Sequence, residues 1–192
     1  MEIIKPGYTR VSDILSIFQN YWKVDPAKLK KHQDLGVLVH DAIERHLKGE
    51  FVPIQMPLTP YFESFLKWEK VYKPKPLVIE KRYYDDQLMV TGRIDLLAEI
   101  EQLNVLVDWK TGSWAHPEIW ALQGTFYRAF IEDDCIENNG PEVPDSFQYV
   151  QLRSDGEMPT VHAMKYDSNW WDVCMSAMRC YKYFKKENFE GF

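Results

Sequence analysis

Residues Gly92 to Thr111, GRIDLLAEIEQLNVLVDWKT, constrain the fold more than any other stretch. They read as two β-runs joined by a tight turn. Gly92-Arg93-Ile94-Asp95-Leu96-Leu97 carries one acid among apolar residues, and Val105-Leu106-Val107-Asp108-Trp109-Lys110 ends in Asp-x-Lys. Side chains alternate across a strand, so Asp108 and Lys110 point to one face and Trp109 to the other. Pairing through Glu101 to Asn104 sets Asp95 beside Asp108. Two carboxylates and one ammonium then meet at one spot. The unbroken apolar run Val105 to Val107 fits a strand covered on both faces. An Asp108–Lys110 salt bridge accounts for that pair alone. It leaves the third charge, on the neighbouring strand, without a reason.

The flanking chain supplies helices. Tyr8 to Trp22 reads as the first, capped by Thr9 or Ser12, with Val11, Leu15 and Phe18 as its apolar stripe. Pro26 with Lys28, Lys30 and Lys31 reads as a basic connection, either a solvated loop or a contact for substrate phosphate. Asp34 to Lys48 is the second helix, with Asp34 as N-cap and Gly49 as its stop. Gly36, His40, Ile43 and Leu47 share a face. His40 there is either a hydrogen-bonded core residue or a ligand, whereas His32 and His46 read as surface. A third helix starts at Thr59-Pro60, where proline suits the first position, and Pro74 and Pro76 end it.

Leu77 to Tyr84 is a strand with an acid inside it. Glu80 either pairs with a base or approaches the acids of the next strand. Leu88 to Ile100 and Asn104 to Lys110 are the following strands. Pro117 opens a helix through Phe130, with His116 at its cap. Gln123 and Tyr127 stack on one face of it. Asp133 to Asp145 reads as an acidic loop. Phe147 to Leu152 and Thr160 to Met164 read as a hairpin, and Ser168 caps a last helix to Lys186. The order predicts an α/β (α+β) fold with a mixed sheet and helices on both faces.

Length bounds the rest. The 192 residues, 45% of them hydrophobic, suit one domain spanning 1–192. No apolar run approaches the roughly 20 residues of a membrane span. The N-terminus lacks the apolar core of a secretory signal. Cys135, Cys174 and Cys180 show no CxxC pairing. A reducing, cytoplasmic setting without structural zinc follows. Net charge is -6. Phosphate binding ordinarily leaves a basic footprint, but net charge describes the whole surface and not one cleft.

The acid–acid–lysine cluster suits phosphodiester hydrolysis. That reaction needs a positioned water and neutralised phosphoryl charge, which hard cations on carboxylates provide. Lys110 cannot bind a cation, but it can orient or deprotonate a water. At this level the sequence resembles the PD-(D/E)XK nuclease superfamily, in its RecB-type and phage-exonuclease branch. The resemblance rests on Gly36-x-x-x-His40, Gly92-Arg93-Ile94-Asp95, Asp108-Trp109-Lys110-Thr111-Gly112 and Gln123-x-x-x-Tyr127, in the family's order.

The resemblance implies a restriction-endonuclease-like αβββαβ core and metal-dependent cleavage of DNA. It implies that Asp95 and Asp108 bind Mg²⁺ or Mn²⁺ with the Trp109 carbonyl and His40. Lys110 would be the catalytic lysine, and Gln123 and Tyr127 would position it or contact DNA. Glu80 matches only in approximate place and stays outside this set. Three cysteines, all after Lys110, predict no iron–sulfur cluster. The expected substrate is single- or double-stranded DNA, attacked at its ends, in recombination, repair or phage replication. The expected partners are a second copy of the chain or a recombination protein. A catalytically silent binding module and a nuclease acting on RNA are the alternatives.

Overall fold

The computed structural model describes residues 4–19, 25–113 and 115–185. Its elements are β1 (Thr9–Arg10), α1 (Val11–Ser16), α2 (Pro26–Leu47), α3 (Thr59–Tyr72), β2 (Lys75–Asp85), β3 (Val90–Ile100), β4 (Leu103–Lys110), α4 (Pro117–Asn138), β5 (Ser146–Gln151), β6 (Thr160–Lys165) and α5 (Asn169–Lys185). One six-stranded mixed sheet runs β3-β4-β5-β6, with β1 and β2 both against β3. Helices cover both faces. Val11, Ile14 and Leu15 of α1 pack with α4 and α5 on one side. Val39 and Ile43 of α2 pack with Phe65 and Trp68 of α3 on the other. The mixed sheet with helices on both faces is what the element order predicts, and the arrangement is the restriction-endonuclease-like one that the resemblance implies.

The β3–β4 hairpin closes through Glu101 and Gln102, at φ 52° and 68°. Two left-handed residues match the twist of an antiparallel pair. The strands pair from Ile100–Leu103 to Leu96–Val107 and then part. The start of β3, Val90 and Thr91, meets β1 in parallel. Asp108, Trp109 and Lys110 continue in parallel against Tyr149, Val150 and Gln151 of β5. The sheet therefore forks at Asp95 and Asp108.

Side-chain alternation inverts at the same level. Leu96, Ala98 and Ile100 pack toward α2 and α3. Ile94, which simple alternation would place with them, packs with α1 and α4. On β2, Ile79 faces the α2–α3 layer and Tyr83 the other. Glu80 lies between them at φ 46°, a left-handed conformation that costs a non-glycine residue about 1–3 kcal/mol.

Several boundaries differ from expectation. The first helix covers only Val11–Ser16. Thr9 is taken by the sheet, donating its N–H to the Met89 carbonyl at 2.9 Å, so neither it nor Ser12 caps; the N-cap is Arg10, without a side-chain bond. The expected extension to Trp22 enters residues 20–24, which lie outside the described residues. The second helix begins at Pro26, because Asp25 accepts from the Ala27 and Lys28 amides. Lys28, Lys30 and Lys31 are thus helical, and Asp34 is internal. His46 is no free surface residue: it bonds Glu69 at 3.0 Å and meets Phe62 and Phe65 edge-on, joining α2 to α3. The acids Asp133 and Asp134 belong to α4, which ends at the left-handed Asn139. Lys81 holds Asp134 at 2.8 Å, offsetting acids near a helix C-terminus. Before α5, Asp167 accepts the Asn169 amide at 2.9 Å; the expected last residue, Lys186, lies outside the described residues.

Candidate active site

The fork brings together residues from four elements. Asp95 occupies the gap between β3 and β4. Its Oδ2 accepts the Trp109 N–H at 2.9 Å, so the side chain replaces the ladder bond lost where the strands part. Its Oδ1 lies 3.3 Å from His40 Nδ1 on α2. Glu80 Oε1 lies 3.5 Å from the same nitrogen. His40 Nε2 is 3.1 Å from the Trp109 carbonyl. The sequence-predicted His40, Asp95 and Trp109 therefore meet, and Glu80 joins them.

The left-handed backbone at Glu80 turns its side chain out of the strand rhythm toward α2. Two bonds reach its other carboxylate oxygen and its carbonyl: Arg93 Nε is 2.7 Å from Oε2 and 3.4 Å from the carbonyl oxygen. Helix α2 comes close because Gly36 has no side chain. A Cβ there would sit 3.3 Å from Thr111 Oγ1.

On the α4 side, Lys110 Nζ lies 2.5 Å from Asp108 Oδ2 and donates to Gln123 Oε1 at 2.9 Å. Gln123 Nε2 donates to Asp108 Oδ1 at 2.9 Å and lies 3.1 Å from the Tyr127 hydroxyl. Helix α4 rests directly on β3 at Gly92. A Cβ at Gly92 would overlap the Tyr127 ring and approach Phe130 Cε2 to 2.9 Å. The glycine of Gly-Arg-Ile-Asp thus seats Tyr127, and Tyr127 seats Gln123. The sequence pairing of Gln123 with Tyr127 is met, and both sit with Asp108 and Lys110 and not with His40.

The charges are strongly coupled. Burial pushes the Glu80 carboxyl up to about 7, helped by the Asp95 charge. Burial also raises Asp108 to about 6, with Lys110 opposing. For Asp95 burial is outweighed by His40, and its carboxyl stays below the ordinary value. Burial likewise works against a charge on His40, but Asp95 and Glu80 carry its pKa well above the ordinary value. Both ring nitrogens of His40 face acceptors, as an imidazolium requires.

One nitrogen of His40 and one oxygen each of Glu80 and Asp95 lie within 4.8 Å of one another. Once His40 gives up a proton, nitrogen plus carboxylate oxygens suits a divalent cation of the Mg²⁺ or Mn²⁺ class. The buried Glu80 Oε1 has the ion contact with His40 but lacks a hydrogen bond, and a buried carboxylate oxygen without one is costly. A cation at this cluster would satisfy it. Asp108 lies outside that triad, its oxygens directed to Gln123 and Lys110.

Glu80 lies outside the site expected from the sequence, in which Arg93 has no role. The available signal was an acid inside the apolar run Leu-Val-Ile-Glu. Its direction depends on a backbone inversion that periodicity does not reveal.

No curated protein matches the sequence. A proposed exonuclease from Eubacterium rectale shares the fold at 10% identity and a TM-score of 0.51, over 94% of this chain and 84% of that one. The structure of LHK-Exo in complex with dAMP aligns at 10% identity and a TM-score of 0.44, over 96% and 90% of the respective chains. The family profile of the PD-(D/E)XK nuclease superfamily matches residues 55–181. That span is more than half of the chain and takes in all of α3, β2 through β6 and the greater part of α5. The chain belongs to the PD-(D/E)XK nuclease superfamily.

Proposed function

We propose that the protein is a divalent-metal-dependent DNA nuclease of the RecB-type branch, acting as one domain on DNA ends. The observation that carries this reading is the fork itself. It sets His40, Glu80 and Asp95 within ligand range of one another, beside an Asp108–Lys110–Gln123 cluster. His40, Glu80, Asp95 and the Trp109 carbonyl would hold Mg²⁺ or Mn²⁺, with Asp108 completing the acidic lining. A bound cation supplies Lewis acidity toward the phosphoryl oxygen and lowers the pKa of a water.

The chain's own residues do the rest. Lys110 orients the attacking water and offsets charge that grows on the phosphoryl oxygens. Gln123 fixes the lysine through one amide atom and Asp108 through the other. Tyr127 holds the amide in place. The carboxylates are recessed: Asp95 is 7% exposed and Asp108 4%. A free single strand reaches recessed carboxylates more readily than the middle of a duplex. This recess supports attack at ends.

End-labelled linear and covalently closed DNA, single- and double-stranded, with an RNA competitor, tests the reading in Mg²⁺ or Mn²⁺. The expected result is release of short products from linear DNA. Cutting of closed circles contradicts action at ends, and preferential loss of RNA contradicts the DNA assignment.

A further inference from the structure

Arg93 stands between two carboxylates from different elements. Its Nε lies 2.7 Å from Glu80 Oε2 on β2. Its Nη2 lies 2.8 Å from Glu44 Oε2 on α2. Glu44 sits one helical turn after His40 and also holds Lys48 at 2.6 Å. A guanidinium commonly grips one carboxylate with two parallel bonds. Here it divides its donors. Glu80 receives a bond on Oε2 only, and Oε1 is left without a hydrogen bond, facing His40 and Asp95.

We propose that Arg93 is a positioning residue for the cation site: it aims Glu80 Oε1 at the ligand cluster and, through Glu44, ties α2 and His40 to the β2–β3 edge. The inference rests on His40, Glu80 and Asp95 being cation ligands.

A purely structural ion pair explains less. The Arg93 side chain is 39% exposed, while that of Glu80 is 4% exposed. An ion pair whose arginine is this exposed contributes little against the strain of a left-handed glutamate and the burial of its charge. The arrangement has a purpose if Glu80 must present one oxygen in a fixed direction. Outer contacts of this kind orient ligands and tune affinity. The link to Glu44 adds a second effect. The helix that brings His40 and the strand that brings Glu80 cannot drift apart without breaking the same guanidinium contact.

The test is Mn²⁺ titration of the full chain by calorimetry, joined to the Mn²⁺ dependence of nuclease activity. Arg93→Ala is expected to bind Mn²⁺ about 10- to 100-fold more weakly. Its half-saturating Mn²⁺ rises by the same factor, and kcat recovers at saturating metal. Arg93→Lys is expected to be intermediate, because an ammonium is a point charge and lacks the planar fork that spans both carboxylates. In a Glu80→Gln background, Arg93→Ala costs less than it does in the wild type, because only the tie through Glu44 to His40 is left to lose, and full additivity overturns the coupling to Glu80. Unchanged Mn²⁺ affinity in Arg93→Ala, with a raised KM for DNA, overturns the proposal and makes Arg93 a substrate contact. Should Arg93→Ala not fold, Arg93→Lys decides: wild-type affinity there overturns the proposal. Failure of the wild-type chain to bind Mn²⁺ is a different result, which removes the cation site itself.

Discussion

Gln123 grips Lys110 and Asp108 at once: its Oε1 accepts from the lysine at 2.9 Å and its Nε2 donates to the aspartate at 2.9 Å. Without it, the two charges keep each other but lose their direction. Gln123→Ala is expected to fold normally and lose about 100-fold in kcat, the scale on which misplacement of a reacting group by ~1 Å acts. Single-turnover rates with end-labelled DNA measure this. A wild-type rate removes Gln123 from the mechanism.

Gly92 is a packing requirement before it is anything chemical. Gly92→Ala drives a methyl into the Tyr127 ring and toward Phe130. Overpacking of this kind costs about 1–3 kcal/mol. Urea unfolding reads the loss, and activity should fall with it because Tyr127 supports Gln123. Unaltered stability means that α4 does not press on β3 as described.

Divalent metal should stabilise the fold. By mass action, Mn²⁺ at 100 times its Kd adds about 2.7 kcal/mol to unfolding. Thermal melts with Mn²⁺ and with EDTA measure the difference. Glu80→Gln and Asp95→Asn should each shrink it. A shift that both substitutions leave intact places the metal elsewhere.

Metal binding should tighten as pH rises. The folded-state pKa of Glu80 is raised to about 7 by burial and that of Asp108 to about 6. A raised carboxyl keeps its proton below that value, and an incoming cation must displace it, as it must displace one proton of His40, whose pKa Asp95 and Glu80 hold above the ordinary value. Below about pH 6 both carboxyls are mostly protonated, and above about pH 8 both are free. Calorimetry at pH 6 and pH 8 checks this: tighter binding at pH 8 with less proton release supports it, and equal binding with no proton release contradicts it.

The legible parts of this protein are those that follow from period and local chemistry. Lys110 on the face of Asp108 and Gln123 one turn before Tyr127 both follow from strand and helix repeats. The apolar run Val105 to Val107 is buried as a central strand. What period could not show is where a repeat breaks. Glu80 points at the fork because its φ is 46°, and no residue type announces a left-handed glutamate in a strand. The early start of α2 was written in Asp25-Pro26, an N-cap followed by a first-turn proline, but the lysines after it carry no apolar stripe. Their turns are exposed, so the amphipathic signal begins only near Leu35. The end of α4 was hidden by acids that disfavour a helix C-terminus until Lys81, far off in sequence, compensates one of them.

The central claim is that Asp108 and Lys110 at the fork perform metal-dependent hydrolysis of DNA. Its most direct test is digestion of end-labelled linear DNA by the wild-type chain, Asp108→Asn and Lys110→Ala, with Mn²⁺ and with EDTA, each variant first shown to melt as wild type does. The account predicts products only from the wild type and only with metal, with both variants reduced by at least about 100-fold, the lower range for removal of an acid–base or charge-stabilising group. Cleavage that survives EDTA, or that either variant carries out at the wild-type rate, contradicts it.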